Sequence, residues 1–316
     1  MNTAQTLLSL SNLTLTRNSM AVVTDGHLTV NRGEIVCLVG PNGSGKTSLA
    51  ELLAGISPCT VSSGSIMFTG NSVAGLAVTK YSDFFLEKNL LVLTPADRAR
   101  HGLYVAFQQV PEFDGVTVET FLYEAYAACS GLRPKRDDFK IKLVELCAVV
   151  GLSVAHLERP LFNGFSGGER KRFQLLELLL LRPQLAVLDE LDAGLDADGL
   201  KIFFMIIKEL RTQHSLSKSL SKKKIDENSC MHEDATHEDA THEVQESENF
   251  LSNAATNSLS KKTMGTESSC SFLIITHNQA VINALSPDRV YELSDHKLRE
   301  LSTCKLSKKR SQGGDL

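Results

Sequence analysis

The segment Gly40-Pro41-Asn42-Gly43-Ser44-Gly45-Lys46-Thr47 carries the clearest chemistry in the chain. Its Gly-x-x-x-x-Gly-Lys-Ser/Thr spacing is that of a phosphate-binding loop. Glycines let consecutive backbone N–H groups turn inward around phosphate oxygens, and the N-terminus of a following helix adds positive potential. Lys46 brings a point charge to the β- and γ-phosphates, and the hydroxyl of Thr47 is a ligand for Mg2+. The loop follows the apolar run Glu34–Val39 and opens a helical pattern through Ser48-Leu49-Ala50-Glu51-Leu52-Leu53. Strand, loop and helix in that order predict a site for a nucleoside triphosphate, with Ser48 at its edge.

A second apolar run, Leu185-Ala186-Val187-Leu188, delivers two carboxylates, Asp189 and Glu190. Ligands of open α/β sheets sit at the C-terminal ends of the strands, which is where these acids fall. Asp189 suits the Mg2+ shell, and Glu190 suits a general base that polarises the attacking water. A third motif is Phe165-Ser166-Gly167-Gly168-Glu169-Arg170. Ser166 and Glu169 form a capping box that starts a helix. Two glycines in a first helical turn cost stability, and they make sense where the backbone must lie against an anion.

This third motif resembles the signature of ATP-binding cassette (ABC) ATPases, and it stands about 20 residues ahead of the paired acids, as in that family. Further marks follow in family order: Gln108 after Leu103-Tyr-Val-Ala-Phe, Ala193-Gly194-Leu195-Asp196, and Thr276-His277 after Phe272–Ile275. The resemblance implies a catalytic set of Lys46, Gln108, Glu190, Asp196 and His277. It places Thr47, Gln108 and Asp189 around Mg2+, and residues 40–48 with Ser166, Gly167 and Gly168 around ATP. The implied fold is α/β: a P-loop ATPase of ABC type, with a mixed-sheet core and an inserted helical subdomain at about residues 83–165.

Within that superfamily the chain resembles the SufC family, the ATPases of the Suf iron–sulfur cluster assembly system. The likeness rests on Leu93-Thr94-Pro95-Ala96-Asp97-Arg98-Ala99, on Ala106-Phe107-Gln108 with Pro111-Glu112, on Gly164–Arg172, and on Asp189–Asp196. It implies paired cassettes that close on ATP and work on SufB-like and SufD-like scaffold partners. An ABC transporter subunit, docked on separate membrane proteins, would carry the same active site. A non-hydrolysing ATP switch is a third alternative, against which the intact Lys46, Asp189, Glu190 and His277 argue.

The elements that must position these residues are short continuous apolar strands, as expected when both faces are covered, separated by helical patterns. One helix is predicted over Asp137–Val150, with acids in its first turn and Gly151 as its stop. Another runs from Ser166 to Leu181 and ends before Pro183. The cassette is expected to span residues 7–301.

Interrupting it, residues 213–270 hold 10 acids and 6 lysines and the pentad His-Glu-Asp-Ala-Thr, repeated from His232 and His237 and begun again at His242. Such a composition cannot bury enough surface to offset its ordering entropy, so a disordered loop is expected there. A five-residue step does not align histidines on one helical face, which argues against a metal site. Residues 302–316 read as a basic flexible tail.

The chain has 33 Lys and Arg against 37 Asp and Glu, a formal charge of −4, all of which belongs to the insert; no nucleic-acid surface is implied. No apolar run reaches the roughly 18 residues a membrane helix needs, since Leu175–Leu181 is broken by Glu177. Met1–Gln5 carries no basic residue, so a secretory leader is not expected, and the cysteines never fall as Cys-x-x-Cys; a cytoplasmic protein with reduced thiols is expected.

Overall fold

The computed structural model describes residues 5–70, 87–108, 112–226 and 269–301. The chain opens with an antiparallel hairpin of β1 (Thr6–Arg17) and β2 (Met20–Asn31). On the other edge of β1 lies β4 (Thr60–Phe68), and the short β5 (Lys88–Asn89) completes this four-stranded sheet. These strands were not evident from alternation alone. Register shifts in the β1–β2 and β1–β4 ladders, together with a left-handed Asn12 (φ 51), break the period of two.

The central sheet has the order β12-β11-β3-β10-β9-β6. It contains β3 (Ile35–Val39), β6 (Leu103–Ala106), β9 (Leu185–Asp189), β10 (Ser271–Ile275), β11 (Arg289–Ser294) and β12 (Lys297–Leu301). All pairs are parallel except β11 with β12. Its inner strands are covered on both faces, as their continuous apolar runs require. Ile35, Cys37, Ala186, Leu188, Phe272 and Ile274 face one core, shared with the long helices. Val36, Leu38, Leu185, Val187, Leu273 and Ile275 face the other, shared with α1 (Lys46–Ala54) and the antiparallel sheet.

Between β6 and β9 lie α3 (Val118–Ser130), α4 (Arg136–Val150) and α5 (Gly167–Leu181), with a small ribbon of β7 (Phe113–Thr117) and β8 (Pro160–Leu161). The short α2 (Pro95–Arg100) precedes β6. Gly151 ends α4 in the left-handed conformation (φ 67). Residue 83, where the sequence puts the start of the helical subdomain, lies outside the described residues; within the expected span, Leu103–Ala106 pairs with Leu185–Leu188 in the central sheet. Parallel pairing across some eighty positions leaves no local mark in the sequence.

The last helices are α6 (Ala197–Asp226) and α7 (Gln279–Leu285). The backbone of α6 continues to Asp226, beyond the boundary at Gln213 where composition predicts a loop. The histidine pentads and the tail 302–316 lie outside the described residues. Cys270 N donates to Leu210 O at 2.9 Å, so the chain leaves and re-enters the core at adjacent points.

Candidate functional site

The phosphate loop joins β3 to α1, and two of its glycines are sterically required. A Cβ at Gly40 (φ 153) would lie 2.2 Å from the Leu293 carbonyl oxygen. One at Gly45 (φ 105) would lie 2.4 Å from Val22 Cγ1. Gly45 is also the N-cap of α1 and offers no side chain to it, so the first-turn amides stay available to an anion. Lys46 is buried and folds back over the loop, donating to the carbonyls of Gly40 (2.9 Å) and Pro41 (2.8 Å). Burial lowers its pKa, a pull opposed by the carboxylates of Glu190 and Asp189. Thr47 is exposed beside it, with Pro41, Asn42 and Gly43, while Ser44 is partly covered and Ser48 is buried.

Asp189 ends β9 almost wholly buried, and neither of its carboxylate oxygens has a hydrogen-bond partner. Burial pushes its pKa up to about 6, and Glu190 pushes the same way. The Thr47 hydroxyl and Lys46 draw it down, the hydroxyl from outside hydrogen-bonding geometry. An enclosed carboxylate with both oxygens unpaired, next to a threonine hydroxyl and a phosphate loop, fits a hard divalent cation.

Glu190 is the hub of the site. Gln108 Nε2 donates to its Oε2 at 2.7 Å, and His277 Nδ1 lies 3.4 Å from its Oε1. Its backbone is left-handed (φ 51), a conformation costly for a glutamate and kept only when neighbours over-determine it. Those neighbours are visible: Glu190 N donates to Ile275 O (3.0 Å), and Lys171 Nζ donates to Glu190 O (2.7 Å) and to Ala193 O. Thr276 is fixed by its bond to buried Asp192 (2.8 Å), which sets the start of the turn bearing His277.

Ser166 caps α5 with the reciprocal box foreseen from the sequence: Ser166 Oγ accepts from Glu169 N (3.2 Å), and Glu169 Oε2 accepts from Ser166 N (2.8 Å). These bonds hold the Glu169 carboxyl below the usual range, helped by His156, whose Nε2 lies 3.1 Å from Oε1. A Cβ at Gly167 or Gly168 would meet nothing within 4 Å. Nothing among the described residues therefore explains the glycines of this turn. Asp196 accepts from Arg172 (3.0 Å) and from Gly199 N (2.7 Å), placing it at the start of α6 and not on the Glu190 cluster.

Two further residues escaped the sequence reading. Lys171 is one, since helical spacing cannot reveal its reach across to Glu190 and Ala193. The other is Arg98, buried, whose Nη1 donates to the carbonyls of Leu52 (2.5 Å) and Leu53 (2.9 Å) at the end of α1.

A profile of the ABC transporter family matches residues 23–193. The chain is 35% identical over 218 residues to a probable ATP-dependent transporter, ycf16, of Trieres chinensis, an alignment covering 68% of this chain and 80% of the relative. It is 35% identical over 209 residues to the probable ATP-dependent transporter SufC of Escherichia coli, covering 65% and 77%. Among solved structures, a dimeric ATP-binding cassette in a post-hydrolysis state with ADP and Pi superposes with a TM-score of 0.62 at 13% identity, covering 94% of this chain and 98% of that one. The last likeness is one of fold. With the profile spanning more than half of the sequence and 68% of the chain aligned to the ycf16 transporter at 35% identity, the chain belongs to the ABC transporter family of ATP-hydrolysing cassettes.

Proposed function

We propose that this cassette drives iron–sulfur cluster assembly on a scaffold of SufB-like and SufD-like proteins, in the manner the SufC resemblance implies. The observation that carries this reading is the 35% identity to SufC and ycf16 along two thirds of the chain. In support, the chain has Phe-Ser-Gly-Gly-Glu at residues 165–169 and Asp-Glu-Leu-Asp at 189–192, where transport cassettes usually carry Leu-Ser-Gly-Gly-Gln and Asp-Glu-Pro-Thr.

ATP would lie with its phosphates on residues 40–48. Lys46 exchanges the carbonyls of Gly40 and Pro41 for the β- and γ-phosphates. Thr47, Asp189 and Gln108 would hold Mg2+, which when bound neutralises charge on the transferring phosphoryl group. Glu190 takes a proton from the attacking water as its oxygen bonds to the γ-phosphorus, and the bridging oxygen leaves with ADP. Gln108 and His277, one on each carboxylate oxygen, orient Glu190 and the water between them. Burial of Lys46 and Asp189 strengthens the interactions these two groups make.

The unopposed glycines Gly167 and Gly168 suit a contact made with another molecule. The reading is that they close on the nucleotide of a second copy of this chain, with Asp196 and its loop at that interface. ATP-dependent pairing then gives a two-state motion whose energy depends on the bound scaffold, which any coupling requires.

The test is reconstitution of iron and sulfide incorporation on SufB-like and SufD-like partners, with wild-type and Lys46→Ala cassettes. Cluster yield that depends on Lys46 supports the reading. Equal yield with both rejects ATP-driven assembly, and copurification with an integral membrane subunit instead would favour the transporter.

A further inference from the structure

The helix that carries Ser166–Gly168 also grips the end of the strand that delivers Gln108. On α5, Gln174 and Glu177 stand three residues apart and share a face. At the end of β6, Tyr104 and Phe107 have the same spacing. Gln174 Nε2 donates to the carbonyl of Phe107 at 2.8 Å, and the Tyr104 hydroxyl donates to Glu177 Oε2 at 2.9 Å. Tyr104 also reaches the Gln174 carbonyl at 3.3 Å. Helix and strand are thus joined by two rungs.

Gln174 is the unusual member. It is only 5% exposed and sits in a run whose other buried members, Phe173, Leu175, Leu176 and Leu178, are apolar. Burying an amide there costs free energy unless it is hydrogen-bonded, and a leucine would fill the position without that requirement. The bond it makes is to Phe107, the residue directly before Gln108, whose own amide meets Glu190 at 2.7 Å. Fixing a carbonyl one residue away fixes the direction in which the next side chain departs. In the second rung, burial pushes the Glu177 carboxyl up to about 8.

We propose that Gln174 is a positioning residue for ATP hydrolysis: through the Phe107 carbonyl it sets the reach of Gln108 to Glu190. Because Gln174 rides on α5, that reach is tied to the helix whose N-terminus would meet the neighbouring cassette's nucleotide. The inference rests on the roles given above to Gln108 and Glu190.

Steady-state hydrolysis by the full chain should be compared for wild type, Gln174→Met, Gln108→Ala and the double variant, with Tm recorded for each. Methionine keeps the volume and removes the donor. The kcat of Gln174→Met should fall about tenfold with KM for ATP unchanged, because a displaced reacting group costs rate without weakening ground-state binding. In the Gln108→Ala background the same substitution should cost nothing further, since Gln174 acts through Gln108. A purely structural role would give equal losses in both backgrounds, and that result, or an unchanged kcat, overturns the proposal.

Should Gln174→Met not yield folded protein, Tyr104→Phe removes the other rung by one hydroxyl. A smaller fall in kcat that disappears without Gln108 supports the proposal, and an unchanged or additive effect rejects it. If Gln108→Ala itself leaves hydrolysis unaltered, the role of Gln108 fails and the inference falls with it. If Gln108→Ala slows hydrolysis and Gln174→Met does not, the inference alone fails.

Discussion

Arg98 closes the C-terminal end of the helix whose N-terminus faces the phosphates: its Nη1 donates to Leu53 O at 2.9 Å and also to Leu52 O. A third bond, from Nε to Leu93 O at 3.1 Å, fixes the guanidinium from the side of α2. The last carbonyls of a helix need partners, and a cation there also complements the helix dipole. A Cβ at Gly55 would fall 2.9 Å from the Arg98 guanidinium carbon, so that glycine leaves room for the arrangement.

Arg98→Leu should therefore destabilise the fold by about 3 kcal/mol, since it takes the charged donor from Leu53 O, while Leu52 O keeps the amide of Gly55. Urea unfolding measures this directly. Arg98→Lys should recover only part of the loss, because an ammonium cannot reproduce the planar fork. A change within experimental error for Arg98→Leu would show that water replaces the guanidinium at no cost.

Glu190→Gln should retain nucleotide and lose hydrolysis by roughly 100-fold to 10,000-fold, the range expected when a general base is removed. The amide can still accept from Gln108 Nε2, so the bond seen at 2.7 Å to the carboxylate has a counterpart in the variant. With release blocked, the ATP-bound pair should accumulate and appear as a dimer in sedimentation with Mg-ATP. A variant that hydrolyses at the wild-type rate, or stays monomeric, would remove Glu190 from the role of base.

Asp189 should make both stability and metal affinity depend on pH. Its folded-state pKa is raised to about 6 against an ordinary 3.8, so between those values the folded protein binds more protons than the unfolded chain. Its contribution to stability is greatest below pH 3.8 and is lost as pH rises through about 6. Asp189→Asn should consequently stabilise the metal-free protein at pH 7 by up to ~3 kcal/mol, since each tenfold change in proton affinity is worth about 1.4 kcal/mol. The same variant should lose the Mg2+ dependence of nucleotide binding. In the wild type, Mg2+ affinity should rise as pH is raised from about 5 to about 7, because the cation displaces a proton. Calorimetric titrations at the two pH values check this, and a pH-independent affinity would contradict it.

Replacing residues 215–269 by a short Gly/Ser linker should leave ATP hydrolysis within a few-fold of wild type, because long surface insertions add little closure entropy. The bond from Cys270 N to Leu210 O shows that the two ends of the excursion already meet in the core. Loss of soluble protein on shortening would mean that the segment packs on the cassette. A change in circular dichroism on adding zinc to the intact chain would revive a metal role for His232, His237 and His242.

The phosphate loop, the paired acids after an apolar strand and the capping box at Ser166 were all legible in the sequence, because each is a local arrangement fixed by backbone conformations a few residues long. Gly40 and Gly45 take positive φ in the loop, a conformation glycine adopts without steric cost, and Ser-x-x-Glu caps a helix wherever it begins. The stops of α4 and α5 were legible for the same reason. Other features depended on distance in the sequence. Gln108 and Glu190 stand 82 positions apart and meet at 2.7 Å only because β6 and β9 are parallel neighbours. The contacts of Lys171, Arg98 and Gln174 each cross from one element to another, and no periodicity encodes which carbonyl a side chain will find. Strand order, with β3 between β11 and β10, is likewise settled by which faces exclude water together, not by any strand's own residues. The raised pKa of Asp189 belongs to this second group, since desolvation is a property of the assembled core and a linear sequence has none.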